Sequence, residues 1–192
     1  MTARRAVLLL PIVVALVLVG AGCGGEAEHP IAFVGDTAIT REQLGAGIEQ
    51  LRADRRRKGE VEEFPEPGSP GYRRLRDSVL GLLVFRAELQ HSADRLGIAV
   101  DDDEVEQLIE AGGGAPGEDE PGSLGREARA FARDSIRAQL LYQRIYERIT
   151  HEISAPTPAA RSARRREEMS RFVARMRREA RVRYKPGYAP GS

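Results

Sequence analysis

Cysteine is nearly missing from this chain: Cys23 stands alone, so no disulfide can close within it and no Cys-rich zinc site can be built. Tryptophan is absent and aromatic residues make up only 5% of the sequence, too few around the arginines to stack the bases of a single-stranded nucleic acid. The three histidines, His29, His91 and His151, lie far apart with no metal-ligand spacing. There is no Gly-x-Ser-x-Gly elbow, and Gly112-Gly-Gly114 lacks the Lys and Ser/Thr of a phosphate-binding loop. The residues therefore point to no catalytic group, no cofactor, no metal and no nucleic-acid partner. Long apolar runs are also lacking. The longest, Ala6 to Val19, has fourteen residues with Pro11 inside it, short for a helix that spans a bilayer.

What the chain has is charge and enough apolar residues for one core: 192 residues, 41% hydrophobic and 31% charged. A formal net charge of +1 hides segregation, because Asp101 to Glu120 holds nine acids and no Lys or Arg, while Arg161 to Lys185 holds eleven basic residues against three acids. Lys58 and Lys185 are the only lysines, an arginine excess that fits a GC-rich coding sequence better than selection for guanidinium chemistry. The plain reading of the basic stretch is a solvated helix face. The sharper one lays Arg164, Arg165, Arg166, Arg171, Arg175 and Arg178 on anionic lipid or wall polymer, each worth about 1 kcal/mol near a charged surface.

Arg4 and Arg5, the apolar run behind them and Gly20-Ala-Gly22 form an export signal. Cys23 follows the small residues where a bacterial lipoprotein signal places its modified cysteine. The segment resembles a lipobox, with Gly20 departing from the usual leucine; an uncleaved anchor is the alternative reading. A thioether to diacylglycerol would remove an otherwise exposed thiol and supply a membrane anchor. The chain divides accordingly into a signal peptide over 1–22, a flexible tether over 23–30 and a helical domain over 31–192, located outside the cytoplasm and lipid-anchored to the cell membrane.

Ile31 to Ile39 predicts a β-hairpin turning at Gly35-Asp36, with Val34 opposite Thr37, Phe33 opposite Ala38 and Ala32 opposite Ile39. Thr40 and Gln43 form a capping box for a first helix that frays through Arg52 to Lys58. Ser69-Pro70 starts a long helix whose core stripe is Leu75, Val79, Leu82, Leu89, Ala93 and Leu96, interrupted by Arg86, which either meets an acid or, more simply, snorkels. Gly97 stops it. Asp101 then caps a short acidic helix with Glu104 closing a second capping box, so that Asp101 to Asp103 serve the helix end rather than a cation. After a mobile acidic Gly/Pro loop, Leu124, Ala128, Phe131, Ser135, Ala138, Tyr142, Ile145 and Ile149 mark another long helix; matching length implies an antiparallel pair. A closing helix and strand over about 162–185 return to the hairpin, with Val182 and Tyr184 inward. The predicted fold is mainly α: two long antiparallel helices plus a small β-hairpin joined by a C-terminal strand.

The runs VGDTAITREQL, ADRLGIAVDDDEVEQLI and FVARMRREARVRYKPGYAP, in that order, resemble the chaperone modules of the SurA and PrsA foldase family, and most of all a SurA N-terminal-type domain. The resemblance implies a helical module with a small β element that holds or escorts unfolded or newly exported polypeptides. Family members that isomerise prolyl bonds carry parvulin domains of roughly a hundred residues before the closing helix. Here that interval, Ser154 to Arg166, is about a dozen residues, so the resemblance supports holding chains without proline isomerisation. Such a role needs an open apolar surface, for which Leu44, Ile48, Phe85, Leu89, Phe131 and Tyr142 are the candidates. The rival is a structural or adaptor lipoprotein that binds one folded partner or an anionic polymer. Lipidation makes a first prediction: the wild type fractionates with membranes, and Cys23→Ala is released or left unprocessed. Wild-type protein that is soluble without detergent contradicts it.

Overall fold

The computed structural model describes residues 29–59, 64–112 and 123–191. The export segment, Cys23, most of the tether and the acidic loop after Gly112 lie outside the described residues. β1 (Pro30–Val34) and β2 (Thr37–Thr40) form the expected hairpin in the expected register. Gly35 has φ 58° while Asp36 stays out of the left-handed region, as a type II′ turn requires. Ile31 is an extra residue between the Pro30–Thr40 and Ala32–Ile39 pairs, a bulge that turns its side chain into the core. β3 (Val182–Tyr184) pairs antiparallel with the free edge of β1, giving the order β2-β1-β3. Val182 and Tyr184 are half-buried and Arg183 is exposed, its guanidinium 5.4 Å from the Phe33 ring on the outer face.

α1 (Arg41–Arg57) carries the capping box: the Gln43 N–H donates to Thr40 Oγ1 and the Thr40 N–H to Gln43 Oε1. It does not fray at Arg52. Arg52 pairs with Glu49, Arg57 pairs with Asp54, and Arg52 stacks 4.3 Å from the Phe64 ring, so the charged run stays helical with its arginines at the favourable end of the dipole. α2 (Pro70–Leu96) starts on Ser69, whose hydroxyl accepts the Tyr72 N–H, and stops at Gly97 with φ 66°. α3 (Asp102–Ala111) differs from expectation at its start. Asp101 holds the N-cap position but accepts no hydrogen bond with its side chain, and Glu104 turns to Arg144 instead. α4 (Ser123–Thr150) is 28 residues long; α5 (Pro158–Glu179) begins earlier than the predicted 162, with Thr157 as its cap, which leaves seven residues between the two helices.

Two apolar clusters organise these elements. Ile31, Ala32, Val34 and Ile39 of the sheet pack with Leu44 and Ile48 of α1 and with Val79, Leu80, Leu83 and Val84 of α2. Leu89 and Ala93 of α2 pack with Leu141 and Ile145 of α4 and with Met169 and Met176 of α5. α2 and α4 are therefore parallel, not antiparallel: Val79 lies level with Phe131, Arg86 with Ser135, and Leu89 and Ala93 with Leu141 and Ile145. Equal length left both directions open; α3 decides between them by taking the return leg, running against α4 with Asp102 on Arg137 and Glu106 on Arg133. The stripe of α2 is also rotated from the predicted one. Leu82 and Leu96 are exposed, while Leu80, Glu88 and Ser92 are buried.

Glu88 is only 5% exposed, and burial pushes its carboxyl above the ordinary carboxylate range, the Arg177 charge opposing. A carboxyl raised on folding contributes stability that is fully present below its unfolded pKa and is lost as pH rises through the folded value. Glu88→Gln is thus expected to raise the melting temperature at pH 7.5 by about 2–4 °C, as roughly 1 kcal/mol does in a chain of this size. Its advantage shrinks as pH falls through the raised folded value and is gone below about pH 4, where Glu88 is protonated in both states. Thermal melts at the two pH values check this, and a variant no more stable than wild type at pH 7.5 contradicts it.

Candidate functional site

Four helices meet beside Gly47. A Cβ there would lie 2.6 Å from Val79 Cγ1 and 2.9 Å from Phe131 Cε2, so the absent side chain is what lets α1 settle on α2 and α4. Next to this contact is a groove of about 480 Å³, a size typical of ligand pockets. Leu51 of α1, Leu82 of α2, Leu108 and Ile109 of α3, and Phe131 and Ile136 of α4 give it apolar walls. Leu82 is 43% exposed and Leu108 44%, large apolar side chains on one open surface of the described residues. Surfaces of that kind mark interaction sites.

α3 forms one wall and is held by two buried side chains and a row of ion pairs. Arg137 pairs with Asp102, Arg133 with Glu106, and Arg144 with both Glu104 and the Ala99 carbonyl, while Val105 and Ile109 supply the apolar grip. Surface pairs of this type each contribute about 0–1 kcal/mol. The acids read from sequence as helix-end residues are thus the fasteners of a groove wall.

Arg86 lies on the groove and does not snorkel. Its guanidinium carbon is 4.2 Å from the Phe131 ring centroid, and Nη2 donates to Ser135 Oγ at 2.7 Å, whose hydroxyl donates to the Phe131 carbonyl at 2.6 Å. Nη1 is shielded from solvent and finds no acceptor among the described residues. Burial draws Arg86 below its usual pKa, the nearby Asp134 charge opposing.

The residues proposed from sequence are scattered. Leu44, Ile48 and Leu89 are core, with no surface to offer a partner, and Phe85 is half-buried against the second cluster under Arg177. Phe131 lines the groove. Tyr142, 40% exposed, lies elsewhere, in a separate space of about 390 Å³ between α4 and α5 that Arg166, Met169 and Arg177 also line. On α5, Arg171 pairs with Glu167 and Glu168, Arg175 approaches Glu168, and Arg164 donates to the Ser154 carbonyl. Arg165 is half-buried and Arg178 exposed. The 4,3 spacing places Leu82 in the core stripe, and nothing in sequence marks Leu108 as a groove residue.

Residues 3–112 match the family described as the SurA-like N-terminal domain. The chain belongs to that family. The SurA-like match takes in the hairpin and α1 to α3, and with them the groove residues Leu51, Leu82, Arg86 and Leu108. α4, which adds Phe131 and Ser135, lies beyond it. The comparison with curated proteins returned no match.

Proposed function

We propose that this SurA-like chain is a membrane-anchored chaperone that holds unfolded or newly exported polypeptides outside the cytoplasm, without isomerising prolyl bonds. The observation that carries this reading is the groove walled by α1, α2, α3 and α4, where Leu82 and Leu108 stay exposed on one apolar surface. An unfolded chain offers apolar side chains that gain by about 25 cal/mol for each Å² they bury against such walls. Family membership supports a chaperone-like or foldase-family role. The seven residues joining α4 to α5 leave no room at that point for an inserted catalytic domain. Anchoring rests on Cys23 and the export segment. The anionic-surface alternative is weaker for the pairing of Arg171 and Arg175 with glutamates of their own helix.

At near-stoichiometric ratio the protein should slow the aggregation of several unrelated unfolded substrates, measured by light scattering. Leu82→Asp combined with Leu108→Asp should remove most of that protection with little loss of stability, since both side chains are already partly in water. Protection undiminished in the double variant, or absent from the wild type, contradicts the reading. Binding of one folded partner or an anionic polymer in its place would favour the adaptor alternative.

A further inference from the structure

An unused donor sits on the groove. Arg86 Nη1 is shielded from solvent with no acceptor among the described residues, although the rest of the guanidinium is engaged by Ser135 and Phe131. Buried polar groups in native interiors almost always find a partner, so an orphan on a binding surface needs an explanation. The acids nearby do not supply one. Asp54 is taken by Arg57 and Gln50, and Asp134 by Arg137 at 3.5 Å. Both carboxylates are already occupied, which leaves an acceptor from outside the described residues as the fitting partner, and the acceptor that every unfolded polypeptide offers is its backbone carbonyl. Phe131, the ring stacked on the guanidinium, is half-buried on the groove wall; because Nη1 has no solvent-exposed surface, a client must displace side chains of that wall to reach it.

We propose that Arg86 Nη1 donates to a backbone carbonyl of the bound polypeptide, so that the groove selects extended apolar segments over preformed amphipathic helices. A helix of the same composition fills an apolar groove equally well with its side chains. Its interior carbonyls, however, are already spent on its own N–H groups, whereas an unfolded segment has them free. Arg86 thereby reads the absence of secondary structure rather than sequence, as a holder of many clients requires. This inference rests on the groove being the client site.

The test is fluorescence-anisotropy titration of the full chain with a neutral, end-blocked peptide of leucine, alanine and glutamine, and with the same peptide locked as a helix by a hydrocarbon staple. For the flexible peptide, Arg86→Met should weaken binding about tenfold, the worth of one charge-assisted hydrogen bond. For the stapled peptide it should change little. Arg86→Lys is the second variant. Its ammonium is a single point without the spread of the guanidinium fork, so with Ser135 engaged it does not reach the place of Nη1, and it should also weaken the flexible peptide selectively. Equal losses for both peptides, or no loss for either, overturn the proposal. So does a tighter, Arg86-dependent complex when a glutamate is placed in the flexible peptide, since the acceptor would then be a carboxylate. Leu82→Asp separates the two levels: it should abolish binding of both peptides, and if it does not, the groove is not the client site whatever Arg86 does.

Discussion

The sharing of α2 between two apolar clusters is the constraint on which the rest of the structure depends. Val79, Leu80, Leu83 and Val84 belong to the cluster built on the sheet and α1, and Leu89 and Ala93 to the one built with α4 and α5. Neither cluster closes without this helix. A three-stranded sheet this small is marginal alone, and Ile31, Val34 and Ile39 are buried because α2 and α1 cover them. At the other end, Met169 and Met176 reach across to Leu89 and so bring α5 and β3 back to β1.

The parallel course of α2 and α4 follows, and the groove follows from that. Two parallel helices need a return between them, and α3, ten residues long against 27 and 28, supplies only part of it. At 1.5 Å per residue α3 covers roughly 15 Å beside helices of about 40 Å. Beside it, Leu82 and Leu108 remain partly exposed and, among the described residues, Arg86 Nη1 has no acceptor. The open surface is therefore a consequence of topology, not of poor packing, and the arginines of α4 that hold α3 set the position of its wall.

Features fixed by adjacent residues were legible in the sequence. The Thr40–Gln43 box, the Ser69 cap, the Gly97 stop and the Gly35-Asp36 turn are local chemistry, and each is present. The pairing of β3 with the hairpin was legible too, because Val182 and Tyr184 alternate with arginines and both faces of the hairpin carry apolar groups. What depended on distant partners was not. A stripe at 4,3 spacing defines a face only to within a residue, so Leu82 and Tyr142 were read as inward where Leu80 and Leu141 are buried. Asp102 and Glu104 are complete as helix-end acids in sequence, and only the fold brings Arg137 and Arg144 of α4 against them. Arg86 had the same ambiguity, since nothing in sequence brings Phe131 and Ser135 to it.

The proposed function places clients in the groove walled by α1 to α4, against Leu82 of α2 and Leu108 of α3. Site-specific photo-crosslinking tests it most directly, with a benzoyl-phenylalanine placed singly at Leu82, Leu108 or Arg178 and an unfolded client added. Crosslinks from positions 82 and 108, and few from 178 on the outer face of α5, are the predicted result. Crosslinks chiefly from 178, or equal yields from all three, would contradict it.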